Sequence, residues 1–229
     1  MIIAGFQKLT LIDYPGKIAC TVFLAGCNFS CPWCYSKELV LPEEIKKQPK
    51  ISEKEFFDFL KKRKGLLEGV VVCGGEPTTN KDLPSFIKKI KKMGYCVKLD
   101  TNGSNPEMLK ELIDKKLIDY AAMDIKLPKE KYSKLYSKTE NIEKSVKILK
   151  ENKIDFEFRT TAAPAFLEKK DIIKIAAWIK GPGVKYYIQN FRPEKTIDSE
   201  FEKAKPYSEK KLLQIKKEIL PFFKTCQIR

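Results

Sequence analysis

The sequence predicts a parallel α/β fold, and three observations predict it. Short apolar, β-rich runs alternate with longer amphipathic ones six times along the 229 residues. The amphipathic runs carry apolar residues at helical spacing, with recognisable start and stop signals. A polar or glycine-rich signature follows every one of the six strand runs. Alternation of this kind implies right-handed crossovers, which bring the carboxyl ends of the strands to one face where ligand sites are built on short loops. Periodicity alone leaves a barrel-like arrangement and an open doubly wound sheet both standing.

The first strand candidate is KIACTVFL (Lys17 to Leu24), and a cysteine-rich loop follows it. A helix opens at Ser52, where Ser52 and Glu55 form a capping-box pattern ahead of Phe56, Phe59 and Leu60. GVVVC (Gly69 to Cys73) leads to a helix carrying Leu83, Phe86, Ile87, Ile90 and Met93, with Gly94 placed to cap its end. YCVKLD (Tyr95 to Asp100) precedes a helix from Pro106 to about Lys116, and YAAMDIK (Tyr120 to Lys126) precedes one beginning near Asn141. IDFEFRT (Ile154 to Thr160) leads into a helix around DIIKIAAWIK, and VKYYIQNF (Val184 to Phe191) into one from Ser208. The signatures after the six strands are the cysteine loop, GGEPT, DTNG, DIK, RTT and QNFRPE. No linker or internal repeat divides the chain, so residues 1–229 are expected to form a single domain, with a core over about 17–191 and a C-terminal helix and tail over 205–229. The stretch 191–208 reads as a polar connection.

Composition removes several function classes. With no histidine in the chain, His-based zinc sites, Cys-His nucleophiles and Ser-His-Asp triads are excluded. The net charge of +15 comes from lysines spread through KKRK, KKIKKM and EKKLLQIKKE, at positions that fall on outer helix faces. That distribution favours a solvated Lys/Glu surface over a nucleic-acid stripe. No apolar run is long enough for a membrane span, and the opening residues lack the pattern of a secretory signal, so a cytoplasmic location is expected.

Seven cysteines in a chain of that location point to metal binding or catalysis rather than to a disulfide framework. Three of them, Cys27, Cys31 and Cys34, fall within eight positions in AGCNFSCPWCYS, with Gly26 and Pro32 favouring a tight, irregular backbone. Structural zinc would need a fourth ligand from Cys20, Cys73, Cys96 or Cys226, most of which sit in strand patterns as small apolar residues. The alternative is a [4Fe–4S] cluster held at three irons with the fourth left open, and the spacing favours it over zinc.

The pattern Cys27, Cys31, Cys34 with Trp33 before the last cysteine resembles the signature of the radical S-adenosylmethionine superfamily. The resemblance implies a partial (β/α)6 TIM-like barrel with parallel strands. It also implies a [4Fe–4S] cluster on the three cysteines and S-adenosyl-L-methionine chelating the open iron, with Trp33 and Tyr35 beside it. Gly74, Gly75 and Glu76 look like the family's GGE motif, which binds the methionyl ammonium, and paired glycines permit close backbone approach. By the same resemblance Asp100, Thr101 and Asn102 would contact the ribose or methionyl part, and Asp124 with Lys126 would form the DxK element. Arg159 would meet the cosubstrate carboxylate.

The opening GFQKLTLIDYPGKIACTVFLAGCNFSCPWCYSKEL, with GGEPT, MDIK and QNFRP, is most similar to the glycyl-radical-enzyme activases, in particular those of anaerobic ribonucleoside-triphosphate reductase. This implies an anaerobic partner enzyme, a low-potential electron donor such as flavodoxin or ferredoxin, and a 5′-deoxyadenosyl radical that takes hydrogen from a glycine Cα. In one departure, Tyr35 and Ser36 stand where such activases often have histidine and asparagine, and Gln189 and Asn190 stand where some have a second histidine. Other readings are a radical enzyme acting on a small molecule or RNA, and a zinc-binding module without catalysis.

Overall fold

The computed structural model describes every residue except Ala165. Among the described residues, eight strands are hydrogen-bonded in the order of the chain, from β1 to β8. They are β1 (Ile3–Thr10), β2 (Ala19–Leu24), β3 (Gly69–Gly74), β4 (Cys96–Thr101), β5 (Tyr120–Asp124), β6 (Asp155–Ala162), β7 (Gly181–Asn190) and β8 (Phe223–Ile228). Two one-turn helices, α1 (Lys37–Val40) and α2 (Pro42–Ile45), follow the cysteine loop. The longer helices are α3 (Glu53–Lys62), α4 (Leu83–Lys92), α5 (Pro106–Asp114), α6 (Thr139–Glu151), α7 (Lys169–Ile179) and α8 (Glu209–Ile219). Strands β2 to β7 are thus each followed by a helix of the expected kind, which is the (β/α)6 order of the partial barrel.

Two strands lie outside that scheme. β1 pairs antiparallel with β2, with irregular register between Ile3 and Gly5 and between Gln7 and Thr10. Those breaks spoil the strict alternation by which a strand is recognised. β8 pairs parallel with β7, so the tail KTCQIR lies in the sheet, and Cys226 is buried within it. Its polar and charged members hide it from a periodicity search.

The helices form where local chemistry says they should. The Ser52 hydroxyl accepts from the Glu55 N–H at 3.1 Å, satisfying one of the first-turn donors of α3. Beyond α4, Gly94 takes φ of +89°, a left-handed conformation that glycine reaches without steric cost. Along α4, Leu83, Phe86, Ile87 and Ile90 are all at most 1% exposed, so one face is wholly buried while its lysines remain outside. Many lysines pair along helix faces, as Lys54 and Lys61 do with Asp58, Lys110 with Asp114, and Lys115 with Glu111. These exposed pairs are screened by solvent and individually weak, and they account for part of the basic surface without a nucleic acid. Among the described residues no helix is long and apolar enough to cross a membrane.

The described residues divide into two compact units. The first holds 1–29, 36–101 and 105–121, and within it β2, β3 and β4 pair in parallel. Its interior includes Tyr14, Ala19, Val71 and Tyr120, with Cys73 and Cys96 packed against them. The second holds 30–35, 102–104 and 122–229, where β6, β7 and β8 pair in parallel.

Candidate functional site

In the first unit the end of β3 is set by two glycines. The Gly75 N–H donates to the Leu24 carbonyl at 2.8 Å and the Glu76 N–H to the Gly26 carbonyl at 2.7 Å. A Cβ on Gly74 would lie 2.1 Å from Leu24 O, and one on Gly75 2.1 Å from Gly26 O. Gly74 also has φ of +132°. Only residues without side chains allow the β2 and β3 ends to come this close.

This close approach fixes the residue that follows. Glu76 is 1% exposed, and its Oε1 accepts from the Thr78 N–H at 3.1 Å, from the Thr78 hydroxyl, and from the Thr101 hydroxyl at 2.7 Å. A carboxylate held by several donors cannot swing, which suits recognition of a cation in one fixed place. Thr101 is therefore brought to Glu76. Asp100, one residue earlier, is paired with Lys98, Nζ to Oδ1 at 2.6 Å. Cys27 belongs to this unit, where its sulfur accepts from the Phe29 N–H at 3.3 Å.

The second unit contains the rest of the cysteine loop, residues 30–35. Trp33 is 3% exposed, its ring 4.7 Å from Phe166 and 6.2 Å from Phe201. The connection after β7 supplies further ties, with the Ile197 N–H donating to the Cys34 carbonyl at 3.1 Å and the Asp198 N–H to the Pro32 carbonyl at 3.0 Å. Tyr35 stacks on Phe191, and its hydroxyl accepts from the Arg192 N–H at 2.8 Å. Burial raises the Tyr35 phenol above its ordinary pKa against the opposing pull of that N–H. The stretch 191–208, expected as a polar connection, includes a short 3-10 helix (Ser199–Lys203) whose Phe201 is buried.

Asp124, Lys126 and Arg159 meet in the same unit. The Arg159 Nε donates to Asp124 Oδ1 at 2.8 Å and the Lys126 Nζ to Oδ2 at 3.1 Å. Burial works against the Asp124 charge, but Arg159 and Lys126 outweigh it and bring the carboxyl down to about 2. Burial likewise opposes the charge on Lys126, yet Asp124 and the Cys31 and Cys34 thiols together hold its pKa above the ordinary value. Backbone contacts aim this element. The Lys126 N–H donates to the Tyr132 hydroxyl at 3.0 Å, and the Ile125 N–H to the Arg159 carbonyl at 2.7 Å. Asn102 accepts from the Ser104 N–H at 2.9 Å, forming a turn of its own.

The donor set fits an iron–sulfur cluster. Burial pushes the Cys31 thiol up to about 11, and the Lys126 ammonium pulls the other way, favouring the thiolate that a metal requires. Among the described residues no three His, Cys, Asp or Glu side chains already stand at metal-ligand spacing, so the ligand role rests on donor chemistry and sequence spacing. The alternative fourth ligands for zinc are packing residues. Burial raises Cys20 to about 12 and Cys226 to about 11, and Cys73 and Cys96 lie against the first unit's interior. Sequence reasoning missed Lys98, Thr78, Phe166 and Phe201. Only Lys98 left a signal, a charge between the apolar Val97 and Leu99 of a strand buried along nearly its whole length.

Residues 21–179, which include all three cysteines, the GGE and MDIK motifs and Arg159, match the radical SAM superfamily model. A protein of Methanocaldococcus jannaschii, provisionally named a glycyl-radical enzyme activating enzyme, is 36% identical over 226 residues, covering 94% of this chain and 90% of that one. The anaerobic ribonucleoside-triphosphate reductase-activating protein of Escherichia coli K12 is 24% identical over 88 residues, which is 38% of this chain and 56% of that one. Among solved structures, Streptococcus suis SuiB bound to precursor peptide SuiA superposes with a TM-score of 0.67 at 14% identity. It matches 90% of this chain, which spans about half of its length, and the likeness is one of fold. Members of the matched superfamily use a [4Fe–4S] cluster and S-adenosylmethionine, and it is to this radical SAM superfamily that the chain belongs.

Proposed function

We propose that this chain activates an anaerobic glycyl-radical enzyme, with ribonucleoside-triphosphate reductase as the leading partner. The observation that carries the reading is the similarity, along nearly all of both chains, to the Methanocaldococcus jannaschii protein provisionally named for that activity. The chemistry that a cluster held by Cys27, Cys31 and Cys34 would supply is one-electron reductive cleavage of S-adenosylmethionine to methionine and a 5′-deoxyadenosyl radical, with the electron drawn from a donor such as flavodoxin or ferredoxin and the radical taking hydrogen from a glycine Cα.

The chain's own residues hold and orient. Cys27, Cys31 and Cys34 would ligate three irons. Glu76, held in place by Thr78 and Thr101, would take the methionyl ammonium beside the close-packed backbone of Gly74 and Gly75. Asp100, Thr101 and Asn102 would contact the ribose or methionyl part. Lys126 and Arg159, both anchored on Asp124, would present positive charge to the methionyl carboxylate. Trp33, buried against Phe166, and Tyr35, stacked on Phe191, would flank the cosubstrate.

The test uses anaerobically reconstituted protein with dithionite and S-adenosylmethionine. 5′-Deoxyadenosine should form, and a glycyl-radical doublet should appear by electron paramagnetic resonance when a co-encoded candidate enzyme is added. Formation of 5′-deoxyadenosine with turnover of a small metabolite or RNA, and no glycyl radical on any candidate, would replace the activase reading. A colourless protein carrying stoichiometric zinc would end both.

A further inference from the structure

Lys98 carries a charge where packing calls for none. Along β4 side chains alternate, so Cys96, Lys98 and Asp100 share one face of the strand. In register, Lys98 sits beside Val71 of β3, which belongs to the apolar cluster of Tyr14, Ala19 and Tyr120 with Cys73 and Cys96 packed against it. Lys98 is 1% exposed, and its ammonium lies 2.6 Å from Asp100 Oδ1. Asp100 is 9% exposed, nearer the carboxyl end of the strand.

A buried ammonium is costly unless paired, and an apolar residue of similar volume would fill the same layer at least as well. The lysine therefore contributes little to packing that methionine would not. What it supplies is a fixed counter-charge directly beneath Asp100. We propose that Lys98 is a positioning residue of Asp100: its buried ammonium, 2.6 Å from Oδ1, holds that carboxylate aimed toward the end of β4, where it meets S-adenosylmethionine. The inference rests on the assignment of Asp100 to the cosubstrate made above. Without Lys98 the carboxylate loses the ammonium that the structure places against Oδ1, and its aim toward the cosubstrate loosens.

Two measurements on each variant test this: the Kd for S-adenosylmethionine on anaerobically reconstituted protein, by equilibrium dialysis, and the Tm of the apo protein. Lys98→Met should raise Kd about tenfold, equivalent to about 1.4 kcal/mol, with unchanged iron content. Lys98→Met/Asp100→Asn should restore the apo Tm to the wild-type value or above, because the carboxylate charge that Lys98 balanced is removed with it, while Kd stays raised at least as far. A purely structural lysine would not separate stability from affinity in this way. If Lys98→Met fails to fold, Lys98→Gln carries the test, keeping a donor but no charge, with Kd expected to rise about threefold or more. Kd within twofold of wild type for the single variant, beside a weakened double variant, overturns the positioning role and leaves Asp100 in the site. Kd within twofold for both overturns the assignment of Asp100 and the inference with it.

Discussion

The end of β3 and the cysteine loop both carry candidate ligands, yet they are held in opposite ways. At Gly74 and Gly75 the main chain of one strand lies against the main chain of the next, and a single added methyl has nowhere to go. At residues 31–35 the loop is held by side chains, through Trp33 on Phe166 and Phe201, Tyr35 on Phe191, and two backbone bonds from the connection after β7. A backbone-set site is intolerant but needs few residues, whereas a side-chain-set site weakens by degrees as partners are removed. The division suits the tasks proposed for them. Glu76 must meet one small group in one place, while the loop must accommodate a metal centre.

Gly75→Ala should have the largest effect. Its Cβ would overlap the Gly26 carbonyl, and a loss of about 4 kcal/mol or more is expected by urea unfolding. Gly26→Ala gives the contrast. Gly26 has φ of +99°, and an added methyl there would meet nothing within 4 Å, so only conformational strain of about 1 kcal/mol should appear. Equal losses at the two positions would break the backbone half of the comparison.

Phe201→Ala tests the side-chain half. Removing a buried ring that borders Trp33 should cost about 3 kcal/mol. It should also raise the rate at which iodoacetamide modifies Cys31 in the apo protein, read by mass spectrometry of the peptide. An unchanged rate would show that the connection after β7 does not brace the loop.

Asp124→Asn should cost about 2 kcal/mol at neutral pH, since Lys126 and Arg159 would lose their shared partner. Its pH dependence has a defined sign. The Asp124 carboxyl falls from 3.8 to about 2 on folding, so its contribution is complete above about pH 4 and is lost as pH falls toward 2. The wild-type advantage over Asp124→Asn should therefore shrink across that window, and a constant difference would contradict the ion-pair account.

Much of this was legible in the sequence, and the limits have physical causes. The six strand-helix units were readable because a buried strand followed by a helix with one buried face leaves two distinct periodicities. β1 was hidden by two register breaks, and β8 by the polar residues an edge strand tolerates. The motif residues announced themselves through rare chemistry at the strand ends. Their partners did not, because Phe166 and Phe201 are ordinary apolar residues that reach Trp33 only after folding. Arg159 was read as a ligand contact, and the structure adds that it is anchored on Asp124. Lys98 was visible as an anomaly, but its partner at i+2 becomes meaningful only once β4 is known to be buried on both faces.

The central claim is that Cys27, Cys31 and Cys34 hold a [4Fe–4S] cluster with no fourth cysteine. Iron and sulfide analysis of anaerobically reconstituted protein tests it most directly. About four irons per chain and a brown chromophore are expected for wild type and for Cys226→Ala, and loss of both is expected for Cys27→Ala, Cys31→Ala and Cys34→Ala. Stoichiometric zinc in place of iron, or loss of the cluster on replacing Cys226, would contradict it.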